Sequence, residues 1–160
     1  MVKIRGFLQQ VNIPAMARIK ILLPHTFALT IQLPVRITDL NYGGHLGNDA
    51  LLSLLHEARV QFLRHLGLQE VDPATGLGTI MADVAIEYKG EAFYGDVLQV
   101  QLAATELHKY GFDVVYWVKN QVDKEIARAK TGMLLFDYNT RKLRVMEPAV
   151  AGQLGREARP

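Results

Sequence analysis

Between Val35 and Gly67 the chain reads VRITDLNYGGHLGNDALLSLLHEARVQFLRHLG: a strand end, a loop rich in glycine, and one long helix closed by a glycine. In the helical part Leu51, Leu55, Ala58, Phe62 and Leu66 recur at helical spacing. Leu52, Leu54 and Leu63 widen that stripe to about half the circumference, beyond the roughly 100° of an ordinary surface helix. A helix this apolar is buried only by something concave wrapped around it. Asn48 or Asp49 is the expected N-cap, and Leu66-Gly67-Leu68 reads as a glycine stop with an apolar contact after it.

The flanking sequence supplies the wrapping. Phe27 to Ile37 (FALTIQLPVRI) is β-rich, with Pro34 at a bulge or edge position. Residues 69–78 form a loop. Thr79 to Lys89 then alternates, with Val84, Ile86 and Tyr88 on one face and Asp83, Glu87 and Lys89 near the other. VLQVQLAAT, FDVVYWVKN and IARAKTGMLLFDY follow as further strands, and the nearly continuous apolar run of FDVVYWVKN predicts burial on both faces. The order is strand, helix, then antiparallel strands with short turns. This is an α+β pattern without the βαβ units of a doubly wound nucleotide fold. A small sheet of this kind leaves an edge strand uncovered, which edge pairing in a homodimer would relieve. Residues 1–26 read as an N-terminal extension or arm, 27–148 as one domain, and 149–160 as a loosely held tail; Met16 is an alternative start.

Composition narrows the chemistry. A net charge of +2, from 18 basic and 16 acidic residues scattered along the chain, gives no footprint for nucleic acid. With no cysteine there is no disulfide, thiolate nucleophile or Cys-bound zinc, which suits the cytoplasm. His56 and His65 lack metal-site spacing, so no metal is expected. Polar residues in the N-terminal stretch break any apolar segment, so no membrane span is expected.

The chemistry-bearing residues cluster at the loop–helix junction. Free N–H groups at a helix start suit an anion or oxyanion, and Gly43, Gly44 and Gly47 either admit a ligand closely or simply make a tight turn. His45 has the pKa range of a general base, but a turn histidine also commonly braces its loop. Asn41 either orients a reactant or forms an Asx-turn. Asn48 is a cap and a candidate substrate contact. Glu57 lies opposite the apolar stripe, where a solvated carboxylate is also expected. Arg59, on the flank of the arc, predicts a buried ion pair with an acidic loop residue.

Asp39, Gly44, His45, Asn48, Ala58 and Arg59, with Gly95-Asp96 in IEYKGEAFYGDVLQV and the late segment RAKTGMLLFDYNTRK, resemble the hotdog-fold acyl-CoA thioesterases around 4-hydroxybenzoyl-CoA thioesterase and the plant acyl-ACP enzymes. The likeness spans about residues 29–146. It implies a curled antiparallel sheet around one central helix, a homodimer or homotetramer, and hydrolysis of an acyl-CoA or acyl-ACP thioester with no cofactor beyond the coenzyme A thioester itself. It also implies substrate contacts at Asp39, Gly44 and Asn48. The family pattern has a second aspartate where this chain has Asn41, and an amide can neither take a proton nor attack as a carboxylate does. Catalysis then falls to His45, to Asn41 as an orienting group, and to Glu57. Nine residues after Asn48, Glu57 lies about 13–14 Å along the helix axis and would have to come from a partner's helix. Surface cations such as Arg128, Lys130 or Arg141 would meet coenzyme A phosphates. The alternative implied by Asn41 is a non-catalytic acyl-thioester binding protein; a hotdog dehydratase fits less well, because GHLGNDALL replaces the proline-rich stretch after its histidine.

Overall fold

The computed structural model describes residues 18–155. Strand β1 (Leu29–Pro34) leads through a 3-10 turn (Ile37–Asp39) and the glycine loop into helix α1 (Asn48–His65). Strands β2 (Leu77–Tyr88), β3 (Val97–His108), β4 (Gly111–Lys119) and β5 (Glu125–Asp137) follow, then β6 (Lys142–Leu143) and a short helix α2 (Pro148–Leu154). Every pairing is antiparallel, in the order β1-β3-β4-β5-β2, with β6 on the end of β5. The sheet curls against α1, which is the α+β hotdog architecture.

The apolar arc explains that curl. Leu51, Leu55, Ala58 and Phe62 are at most 2% exposed and share one core with Leu98, Val100, Val114 and Ala129 of the sheet. Burying each such leucine or phenylalanine contributes about 1.5–3 kcal/mol. Two-sided burial of β4 holds at its centre: Val114, Tyr116 and Val118 face α1, while Val115 is buried on the outer side. There Phe27 packs on Trp117 with ring centroids 5.9 Å apart. The outer face also receives Ile21, whose N–H donates to Glu87 Oε2 at 3.0 Å. Of the expected N-terminal arm, residues 18–26 thus include a segment laid on the sheet, and residues 1–17 lie outside the described part.

Arg59 is buried, and its Nε donates to Glu70 Oε1 at 2.6 Å. Glu70 belongs to the α1–β2 loop and also meets His56 at 2.6 Å. The acidic loop partner expected for Arg59 is therefore present. Beside it the fully buried Tyr116 hydroxyl pairs with Thr131 Oγ1 at 3.0 Å, and burial pushes the phenol pKa up. Among the described residues no helix is long and apolar enough to cross a membrane.

The C-terminal segment differs from expectation. Arg144 N–H donates to Leu135 O at 2.9 Å and Met146 N–H to Lys109 O at 2.7 Å, tying the chain back to the sheet. Residues 149–154 then belong to α2, where Leu154 is 4% exposed within the main core. Residues 149–155 of the expected loose tail are thus held, because Val150 and Leu154 give this two-turn helix an apolar side that Leu154 anchors in the core; residues 156–160 lie outside the described part. Leu154→Ala is expected to cost about 2–4 kcal/mol in chemical denaturation, as for a buried leucine. A loss below about 0.5 kcal/mol, the range of surface changes, would mean that α2 does not contribute to the fold.

Candidate active site

The loop from Asp39 to Gly47 is held by its own backbone. Asn41 N–H donates to His45 O (2.9 Å), Gly44 N–H to Asn41 O (3.0 Å) and Gly47 N–H to Asp39 O (2.9 Å). Gly44 has φ +76°, a conformation that residues with a Cβ seldom adopt, so this turn needs glycine there. Leu46 N–H donates to Ala92 O at 2.8 Å, and the Val35 and Asp96 backbones are joined at 2.8 Å. These bonds clamp the β2–β3 connection, residues 89–96, against the start of α1.

Asp39, expected as a substrate contact, is engaged within the loop by Arg36. Its carboxylate accepts the Arg36 N–H (2.8 Å), Nε (3.0 Å) and Nη2 (2.9 Å) while being 5% exposed. Those bonds hold its pKa below the usual value of 3.8. It braces the loop and has no free face for a ligand. Gly44 sits at the exposed turn tip.

The helix start departs from expectation in a useful way. The N-cap is Gly47, not Asn48 or Asp49, and α1 begins at Asn48. The first intrahelical bond is Leu51 N–H to Gly47 O. The N–H groups of Asn48, Asp49 and Ala50 therefore precede any helical acceptor, and a glycine has no side chain to cap them. Where an Asn or Asp cap would fill these donors, glycine leaves them open to a ligand.

A cavity of about 140 Å³ opens at this point, lined by His45, Asn48, Leu51, Tyr88, Glu91 and Ala92 among others. His45 Nε2 stands 3.8 Å from Glu91 Oε1, an ion-pair separation too long for a direct hydrogen bond. On the other side of the ring, Asn41 Nδ2 lies 3.4 Å from His45 Nδ1, and Leu46 O is 3.3 Å from the same nitrogen. Asn41 Oδ1 accepts the Gly43 N–H at 2.8 Å, an Asx-turn that fixes the amide so that its NH₂ faces the imidazole. These two neighbours favour opposite tautomers: the amide donor a proton on Nε2, directed at Glu91, and the Leu46 carbonyl a proton on Nδ1. Asn41 thus forms the expected Asx-turn, and the same turn places its amide beside the imidazole.

The structure brings His45, Asn41 and Asn48 together and leaves Glu57 apart. Glu57 is exposed on α1 and accepts from Gln61 Nε2 at 2.8 Å. The carboxylate that does reach the cavity is Glu91, absent from the sequence-based candidates. Gly90 marks its place: a Cβ there would lie 2.9 Å from Glu125 O, so only glycine lets the chain pass β5 and turn Glu91 toward the loop. Of the cations proposed for coenzyme A phosphates, Arg128 is paired with Glu125, and Lys130 with both Asp83 and Asp113.

Residues 35–154 match the family model described as the thioesterase-like superfamily. The chain belongs to that superfamily. By class it is a thioester hydrolase. It is 28% identical over 107 residues, 64% of this chain and 78% of the relative, to a 1,4-dihydroxy-2-naphthoyl-CoA hydrolase from Crocosphaera subtropica. Its fold matches the crystal structure of a 1,4-dihydroxy-2-naphthoyl-CoA thioesterase from Synechocystis (TM-score 0.74, 20% identity, 84% of this chain and 98% of that one). It also matches a probable thioesterase from Escherichia coli (TM-score 0.68, 20% identity, 80% and 97%).

Because the Asp39 pKa is lowered on folding, its contribution to stability is full above the unfolded value of 3.8 and is lost as pH falls through the folded value. Asp39→Asn is expected to be less stable than wild type at neutral pH, with the gap narrowing as pH falls below about 4, where the unfolded chain takes up this proton, and closing below the lowered folded-state pKa. Denaturation across a pH series measures this. A gap independent of pH would mean that the Arg36–Asp39 brace does not stabilise the fold.

Proposed function

We propose that the protein hydrolyses an acyl-coenzyme A, or an acyl group on a carrier protein, with Glu91 as general base at the α1 start. The observation that carries this is the 3.8 Å gap between Glu91 Oε1 and His45 Nε2 beside uncapped helix N–H groups. A water bridging that gap gives its proton to Glu91 as its oxygen attacks the thioester carbonyl carbon. His45 Nε2–H orients the water, and Asn41 keeps the ring in that tautomer. The negative charge on the carbonyl oxygen is held by the N–H groups of Asn48 and Asp49. When the carbon–sulfur bond breaks, the leaving thiolate takes the proton from Glu91, leaving free acid and free thiol. No resident cofactor enters this scheme.

A homodimer, or a tetramer built from dimers, accompanies this proposal. Strand β2 is a sheet edge, and its Met81, Val84 and Tyr88 are exposed. A second copy paired there is a route by which its Glu57, engaged only by Gln61 on its own helix, would reach this cavity instead. A cytoplasmic enzyme suits a chain without cysteine.

The test is thiol release from a panel of acyl-CoAs, including 1,4-dihydroxy-2-naphthoyl-, benzoyl-, short-chain and long-chain thioesters. Glu91→Gln is expected to lower kcat by about 10²- to 10⁴-fold with stability unchanged, and Glu57→Gln to stay near wild type. The reverse pattern would move the base to a partner's helix. Tight binding without turnover in calorimetry would make the chain a binding protein.

A second prediction uses the cap. Gly47→Ser is expected to hold stability within about 0.5 kcal/mol, since serine and glycine caps differ by a few tenths. Its hydroxyl would occupy the helix donors and lower kcat more than it raises KM. Unchanged kcat would deny those N–H groups an oxyanion role.

A further inference from the structure

The cavity at the start of α1 has a floor made by an irregularity in the sheet. Val118 of β4 pairs with Ala127 of β5, but the next residue, Lys119, pairs with Glu125, so Ile126 is an extra residue on β5. Strict alternation from Ala127 would turn Ile126 to the outer face, beside Arg128. A bulge re-aims such a side chain. Ile126 (2% exposed) and Ala127 (0%) accordingly both belong to the core shared with α1. The Ile126 carbonyl accepts the N–H groups of Lys89 (2.9 Å) and Gly90 (3.1 Å), fixing the bulge against the segment that carries Glu91. Leu51, Ala92 and Ile126 are thus the buried wall of the cavity, and half-exposed Tyr88 stands at its rim.

We infer that Ile126 limits the size of the acyl group, so that the cavity takes an acyl body of about six carbons, ring or chain, and excludes larger ones. The inference rests on the hydrolysis proposed above, in which the thioester carbonyl lies at the N–H groups of Asn48 and Asp49. With the carbonyl there and the thiol arm leaving toward solvent, the acyl substituent is the part of the substrate that meets the apolar wall. Volume sets its size: about 140 Å³ is close to an engineered cavity of about 150 Å³ that binds benzene. A fused two-ring acyl group or a ten-carbon chain exceeds it. Of the three wall residues, Leu51 belongs to the packed arc of α1, and Ala92 has almost no side chain to shorten. Ile126 stands on a bulge, where replacement by alanine removes about three carbons and deepens the cavity without cutting into α1.

The experiment measures kcat/KM of the full chain for hexanoyl-, benzoyl-, decanoyl- and naphthoyl-CoA. Binding of hexyl-CoA and decyl-CoA thioethers, which cannot be hydrolysed, is measured in parallel by calorimetry. Wild type is expected to favour hexanoyl over decanoyl, benzoyl over naphthoyl and the hexyl thioether over the decyl one, each by at least about tenfold, the order that one surplus methylene costs in a closed pocket. Ile126→Ala is expected to bring all three ratios within about threefold. Ile126→Val, which keeps the β-branch and removes a single carbon, is expected to move them the same way by about two- to threefold. A folding defect would lower both members of a pair alike and leave the ratio where it was. Equal wild-type handling of small and large groups, ratios unmoved in Ile126→Ala, or no binding of either thioether each overturns the inference. The two readings fail separately: size-dependent thioether binding that shifts in Ile126→Ala, with no thioester turned over, keeps the size limit and removes the hydrolysis. Turnover without size preference does the reverse.

Discussion

Enclosure of α1 by the sheet is the constraint on which the rest of the molecule depends. With Leu55, Ala58 and Phe62 fully out of solvent, one broad face of the helix is committed to packing, while Ser53, His56, Glu57 and Arg64 line the exposed face. The helix backbone meets solvent and ligands chiefly at its ends. At the N-terminal end the donors of Asn48, Asp49 and Ala50 are spare, and the cavity beside them is walled by buried Leu51 and Ile126. Both features of chemical interest are therefore consequences of one burial.

That burial is not wholly apolar. Arg59 on α1, Glu70 in the next loop and Tyr116 on β4 put two opposite charges and a hydroxyl into the helix–sheet seam. Ion pairs of this kind seldom add much net stability over well-packed apolar side chains, but breaking one leaves a buried charge alone. Its consequence here is positional. Arg59 is held both by Glu70 of the 69–78 loop and by the Tyr116 hydroxyl of β4, so the rotation of α1 is tied to that loop and to the sheet together. The same rotation directs the N-terminal donors toward residues 89–96.

The fold is largely legible in the sequence because its signals are periodic and local. The half-circumference arc of α1, the alternation in β2 and the run in β4 each state what they must pack against. The brace of Asp39 by Arg36 and the Asx-turn at Asn41 are also short-range, and are legible as loop chemistry. Glu91 is not, although IEYKGEAFYGD reads as a turn. It meets His45 from a distant part of the chain, through a contact fixed by β1–β3 pairing and the Leu46–Ala92 bond. No spacing rule encodes that. Gly47 escapes notice as the cap for a related reason: side-chain preference points to Asn48, while the hydrogen bond from Gly47 N–H to Asp39 O ends the loop one residue earlier.

Asn41 reads differently beside these contacts. A carboxylate at that position would be an acceptor beside His45 Nδ1, drawing the ring proton to Nδ1 and turning a bare Nε2 toward Glu91. The amide does the opposite. Its oxygen is held by Gly43 N–H, so its NH₂ is presented to Nδ1 and favours a proton on Nε2, opposing the Leu46 carbonyl, which accepts only from a protonated Nδ1. With asparagine the cavity keeps a single carboxylate and a neutral donor. Asparagine in the loop is thus compatible with the proposal that the base arrives from the β2–β3 connection.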